Sequence, residues 1–166
     1  LASPLRDVYK RQDGTWFYMG TPIGRKQLVR LFSTVLRKDD DGQTYLVTPV
    51  EKVGIRVEDA HFVAVEMEVS GVGETQALTF RTNVGDVVTA DAQHPLRFVI
   101  ERTSGGLKPY VLVRGRLEAL IARAVMYDLV ALGEEIEVDG VPTFAVRSGG
   151  VVFPIMVSDA LEAALQ

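Results

Sequence analysis

Val63-Ala64-Val65-Glu66-Met67-Glu68-Val69 alternates apolar and polar side chains with a period of two, the pattern of a strand that buries one face. It predicts Val63, Val65, Met67 and Val69 turned inward and Ala64, Glu66 and Glu68 turned to solvent. Downstream, Ser70-Gly71-Val72-Gly73 is a turn, and a partner strand at 74–82 places Leu78 and Phe80 on one face. Strands at about 86–90 and 96–102 follow, the second grouping Leu96, Phe98 and Ile100 opposite Arg97, Val99 and Glu101. Thr103-Ser104-Gly105-Gly106 then turns the chain into Pro109-Tyr110-Val111-Leu112-Val113. Upstream, Tyr45-Leu46-Val47 and Gly54-Ile55-Arg56-Val57 flank the polar bend Thr48-Pro49-Val50-Glu51-Lys52. Thr15-Trp16-Phe17-Tyr18-Met19 is a further strand, stopped by Gly20.

Between these strands the spacing of Leu28, Leu31, Phe32, Val35 and Leu36 predicts an amphipathic helix over 22–37, with Thr21 as cap and Pro22 in the first helical position. Arg37 and Lys38 favour its C-terminus before Asp39-Asp40-Asp41-Gly42. A strand at 117–121 and a helix at 122–132, ended by Gly133, come next. Phe144-Ala145-Val146 and Val151-Val152-Phe153 pair through Ser148-Gly149-Gly150, and a short helix begins at Ser158. The class is α+β: predominantly antiparallel β in rolls or small barrels, with two main helices.

The composition excludes more than it assigns. With 47% hydrophobic and 24% charged residues in 166, the chain is an ordinary globular protein. The absence of cysteine removes disulfides, thiolate nucleophiles and zinc–thiolate sites. Residues 1–12 carry a charge of +2, so the remainder is −6 of the total −4. An acidic body opposes binding to nucleic acid or anionic membrane. There is no run of ~18 apolar residues to span a bilayer. Leu1-Ala-Ser-Pro-Leu-Arg6 has no apolar core of the signal-peptide kind, and the expected location is cytoplasmic. Leu1–Gln12 lacks either periodicity and is expected to be a non-native or disordered lead.

Asp13-Gly14-Thr15-Trp16-Phe17-Tyr18, Pro22-Ile23, Leu28-Val29-Arg30-Leu31-Phe32-Ser33, Tyr45-Leu46-Val47-Thr48-Pro49-Val50-Glu51-Lys52 and Val57-Glu58-Asp59-Ala60 resemble the bacterial family called domain of unknown function 1285. So do Thr82-Asn83-Val84-Gly85-Asp86, His94-Pro95-Leu96-Arg97, Tyr110–Gly115, Leu117–Ile121, Tyr127-Asp128-Leu129-Val130 and Ser148–Pro154. Ala124 departs from the family pattern, where proline is expected. The resemblance covers about residues 13–156 and implies two small pleckstrin-homology-like halves, 13–82 and 83–166, packed together. It implies no catalytic residues, and suggests a role in growth regulation or signalling only by analogy.

The chemistry-bearing residues are sparse. Glu66 and Glu68 lie about 7 Å apart on one strand face at ~3.4 Å per residue, a spacing that suits an acid–base pair and equally a solvated face. His94 precedes Pro95 at a strand entrance, and no nucleophile motif accompanies it. His61 and His94 lack metal-ligand spacing, and no metal or cofactor is expected. The glycine pairs match hairpin turns better than phosphate loops. Lys26, Arg30 and Arg37 form a basic stripe of the kind any soluble helix shows. The polar bend is the more informative element, because loops between apolar strands carry function.

These observations favour a non-enzymatic binding or regulatory module, monomer or homodimer, with a protein or small-molecule partner. Contact is expected at Thr48, Glu51, Lys52, Arg97, Arg114 and Tyr127, by recognition such as strand addition to an exposed edge. The alternative is an enzyme using Glu51, Glu66 and His94 in a shared pocket.

Overall fold

The computed structural model describes residues 2–3, 8–18, 21–22, 24–49 and 52–165. Three sheets surround one contiguous core. The first comprises β1 (Ala2–Ser3), β2 (Val8–Lys10), β3 (Trp16–Tyr18), β4 (Thr21–Pro22), β5 (Leu36–Lys38), β6 (Thr44–Val47) and β7 (Lys52–Val57), in the order β4-β3-β2-β7-β6-β5 with β1 also on β7. Helix α1 (Lys26–Thr34) connects β4 to β5. The second holds β8 (Phe62–Ser70), β9 (Ala77–Thr82), β10 (Val87–Thr89), β11 (Leu96–Ile100), β12 (Leu107–Arg114) and β13 (Leu117–Ile121), ordered β10-β9-β8-β13-β12-β11, and α2 (Arg123–Ala131) follows it. The third is the meander β14 (Glu134–Val138), β15 (Val141–Ser148) and β16 (Val151–Val157), leading into α3 (Ser158–Leu165). Pairing is mostly antiparallel, with parallel exceptions at β1–β7, β2–β7 and β8–β13. The α+β class expected from the sequence is the class observed.

The strand at 63–69 forms, but its buried face is not the one the alternation predicts. Phe62 and Ala64 are fully buried, whereas Val65 and Val69 are exposed. The register against β9 shifts between Ala64 and Glu66. Such a bulge inserts one residue and reverses which side chains face inward, so Met67 packs on the core beyond it. Leu78 and Phe80 of β9 share the buried face as expected.

Helix α1 is shorter than the predicted 22–37. Thr21–Pro22 pairs with Phe17–Tyr18 instead of capping, the N-cap is Arg25 with no side-chain bond, and Leu36–Lys38 pairs with Leu46–Thr44. Leu31 is consequently exposed, while Val29 and Phe32 pack on the core and Phe32 lies 5.8 Å from the Trp16 ring. Strand pairing at both ends has overridden helical spacing.

Of the expected lead 1–12, residues 2–3 and 8–12 are among the described residues. Val8–Lys10 bonds to both β3 and β7, and Lys10 is fully buried with its Nζ donating to Ala60 O at 3.0 Å. The division expected at 82/83 falls inside the β9–β10 hairpin, where Thr82 N donates to Asp86 O. The chain passes from the first sheet to the second at residues 58–61.

The sequence reading omits β14. Asp139 (φ 51°) and Gly140 (φ 79°) form its hairpin turn to β15, the positive-φ pair that type I′ turns require. The meander is clasped to the second sheet by buried Ser148, whose Oγ donates to Ala90 O at 2.7 Å and accepts from Leu78 N at 2.9 Å. Among the described residues, no helix is long and apolar enough to cross a membrane.

Candidate functional site

Strand β5 lies at the edge of the first sheet and faces the β12–β13 turn of the second. Between them runs a groove of about 580 Å³, lined by Leu36, Arg37, Lys38, Asp39 and by Arg114–Leu117. Local sequence builds both walls. On one side, Asp39-Asp40-Asp41-Gly42 closes the β5–β6 hairpin: Asp39 N donates to Gln43 O, and Gln43 N to Asp41 Oδ1. On the other, Gly115 at φ 55° makes a two-residue turn between paired Arg114 and Leu117, which leaves Arg116 at the tip.

Four cations and one carboxylate line this groove in a chain whose net charge is −4. Asp39 is held by Arg37 Nε at 2.5 Å and by Lys52 Nζ at 2.7 Å, and these bonds lower its pKa to about 2. Arg116 pairs with Asp40 and lies 3.5 Å from Lys38 O. Arg114 Nη2 donates to Ser33 O at 2.6 Å, and its guanidinium sits 5.4 Å from the Phe62 ring centre. Lys38 has no ion-pair partner among the described residues. Behind the wall, Thr44 Oγ1 meets His61 Nε2 at 3.0 Å, and the imidazole is buried with Nδ1 unpartnered. Burial, then the charges of Lys38, Lys10 and Arg114, push His61 down to about 4, so it is neutral at neutral pH.

A second polar cluster ties the connector between the two sheets to the second sheet. Asp59 accepts from Tyr110 OH at 2.8 Å and Lys108 Nζ at 3.1 Å. Burial and the bond to Asp59 both raise the Tyr110 pKa. Arg97 lies 4.3 Å above the Tyr110 ring and forms two bonds to Glu118, at 3.0 and 2.8 Å. Burial lowers Lys10 to about 8, with Asp13 and Asp59 opposing the shift.

The predicted site residues are therefore spread out. Arg114 lines the groove. Lys52 holds Asp39 and lies 4.2 Å over the Tyr45 ring; Arg97 belongs to the Asp59 cluster; half-buried Thr48 sits beyond β6. Exposed Tyr127 lines a separate cavity of about 430 Å³ with Leu107, Pro109 and Met126. Glu51 lies outside the described residues. Glu66 pairs with Arg81 on neighbouring β9, and His94 Nδ1 with Asp91 at 3.0 Å in the loop before β11, so the two are engaged separately. Among the described residues no cluster of three or more metal-ligating side chains occurs. Sequence reasoning missed Arg37, Lys38 and Arg116. The first two were assigned to a helix end, and the Arg114-Gly115-Arg116 turn was the available signal.

Two family models match the chain, the N-terminal domain of domain of unknown function DUF1285 over residues 6–60 and its C-terminal domain over 61–155. A crystal structure of a DUF1285 family protein from Silicibacter pomeroyi DSS-3 is similar, at 48% identity and a TM-score of 0.89, over 98% of this chain and 86% of that one. Another, from Shewanella baltica OS155, has 26% identity and a TM-score of 0.57, over 75% of this chain and 90% of that one. No curated protein matches. The boundary between the two family models coincides with the change of sheet, and the chain belongs to the DUF1285 family.

Proposed function

We propose that this chain is a non-enzymatic recognition module of the cytoplasm, in which two pleckstrin-homology-like halves present a surface to a partner. The observation that carries this reading is the distribution of charge. Glu66 and His94 of the enzymatic alternative are tied in separate pairs, Glu66 to Arg81 and His94 to Asp91, while a group of cations gathers along one open groove. Acid–base catalysis needs perturbed groups converging on one pocket. Buried Lys10 and His61 are perturbed, yet Lys10 has no exposed surface and His61 only 6%. Recognition needs only a complementary surface. A role in growth regulation or signalling rests on the family resemblance alone.

Native mass spectrometry of the gently purified chain tests the reading. A clean mass, as monomer or homodimer, is expected. A stoichiometric small molecule that disappears on denaturation would overturn it and return the enzymatic alternative.

A further inference from the structure

The hydrogen-bond pattern of β5 shows which of its main-chain groups are free. Val47 N donates to Val35 O at 2.9 Å and Asp39 N donates to Gln43 O at 3.0 Å, so residues 35, 37 and 39 face β6. In an antiparallel pair the intervening residues turn their main-chain groups the other way. Leu36 and Lys38 therefore direct N–H and C=O groups into the groove, and no other described strand pairs with β5. One of these groups, Lys38 O, is approached by Arg116 Nη1 at 3.5 Å. Leu36 is buried at 4% exposure, so the unpaired ladder is short and opens to solvent chiefly at half-buried Lys38.

Charge specifies what suits that edge. Lys38 lies on the ladder, Arg114 and Arg116 stand across from it, and Arg37 adjoins, four cations against the carboxylates of Asp39 in the lining and Asp40 paired to Arg116. A strand added to β5 would place alternate side chains about 7 Å apart on the face shared with Lys38. Acidic side chains at those positions meet cations, and basic ones meet like charge.

We propose that the groove binds an extended acidic segment of a partner protein, which adds to the β5 edge through Leu36 and Lys38 and sets alternate carboxylates against Lys38, Arg114 and Arg116. The assignment rests on the recognition-module reading. Main-chain pairing supplies affinity and the cations supply selection, the division of labour that strand addition uses.

The test uses a fluorescein-labelled peptide alternating glutamate with valine, a lysine–valine counterpart, and fluorescence anisotropy on the full chain. The glutamate peptide is expected to bind, with affinity falling as salt is raised, and the lysine peptide is not. Arg116→Glu should weaken binding by about tenfold or more. Lys38→Ala and Lys38→Pro both remove the ammonium, but only proline removes the outward N–H, which β6 does not use; the proline variant should bind more weakly than the alanine one. Thermal melts confirm that each variant is folded.

Equal binding by the two Lys38 variants would overturn strand addition, and an indifferent Arg116→Glu would overturn the groove. Displacement of the peptide by tripolyphosphate, with Lys38→Pro and Lys38→Ala alike, would make this a small-anion site. Self-association abolished by Arg116→Glu would assign the edge to a second copy's acidic strand β14. A retained small molecule in native mass spectrometry fails the recognition-module reading itself. A clean mass with no peptide binding fails only this assignment.

Discussion

One cluster of charge ties the connector at Asp59 to the second sheet and another lines the groove between β5 and the β12–β13 turn, and they differ in how completely their charges are paired. In the Asp59 cluster, Asp59 meets both Lys108 and Tyr110, and Arg97 meets Glu118, so each group has a partner, with Asp59 and Tyr110 shielded and Arg97 half exposed. Along the β5 groove, Lys38 has no ionic partner among the described residues and Arg116, paired with exposed Asp40, is itself more than half exposed. Partly buried charges that are fully paired fix one arrangement of the elements they join, because removing either partner strands the other. Exposed charges contribute little to folding and remain free to meet something else.

The largest effect that would break this contrast is predicted at Asp59. Asp59→Ala leaves Tyr110 without its acceptor and Lys108 with only Glu101, at 3.9 Å, and should cost about 3 kcal/mol, read as a lowered urea midpoint. A loss as small as that of a surface pair would mean the Asp59 cluster is as open as the groove.

The next is at His61. Its pKa is about 4 in the folded protein against 6.5 unfolded, so between these values the unfolded chain binds the extra proton. Stability therefore falls as pH drops through that window, by about 2 kcal/mol between pH 6.5 and 4.5, the slope approaching 1.36 kcal/mol per unit within it. Urea titrations across the window should show that slope, and His61→Gln should remove it.

Lys10 sharpens the contrast from the alkaline side. Folded at about 8 and unfolded at 10.5, it loses its proton first in the native state, so stability rises with pH between those values. Above pH 10 the raised pKa values of Tyr45 and Tyr110 oppose the rise. Lys10→Met should flatten the slope from pH 8 to 10, measured by the same titration.

The smallest effect belongs to the groove. Arg116→Glu should change stability by no more than about 1 kcal/mol while altering peptide binding. A large loss would show that the Asp40 pair holds the sheets together, and the two clusters would then be alike.

Much of the fold was legible because it rests on local signals. Alternation marks β8, β9 and β11 as strands, and Ser148-Gly149-Gly150 marks the β15–β16 turn. Inward and outward faces in β8 were not legible, since the bulge after Ala64 is set by its partner strand rather than by its own residues. Helix α1 was overextended for a similar reason: Leu36 continues the helical spacing, yet its pairing with Leu46 decides its conformation. The omission of β14 is different in kind, because Asp139-Gly140 announces a hairpin and was available to be read. Of the candidate site only Arg114 was found. Arg116 was available in the same turn, whereas Arg37 and Lys38 lie far away in sequence and only the packing of the first sheet against the second brings them to Arg114.

The parallel pairing of β8 with β13 matches Phe62 to Ala119, and no tight turn can join strands so related. Such non-local contacts form slowly, because the entropy of closing a long loop is spent before they reward it. The hairpins β9–β10, β11–β12 and β14–β15 close over a few residues and have no such delay. The wall of the groove carrying Arg114 and Arg116 reaches β5 only after β13 has docked beside β8. Refolding monitored at the groove should therefore lag behind refolding monitored in the hairpins, and a partner bound across both walls would slow the chain's escape from the native state.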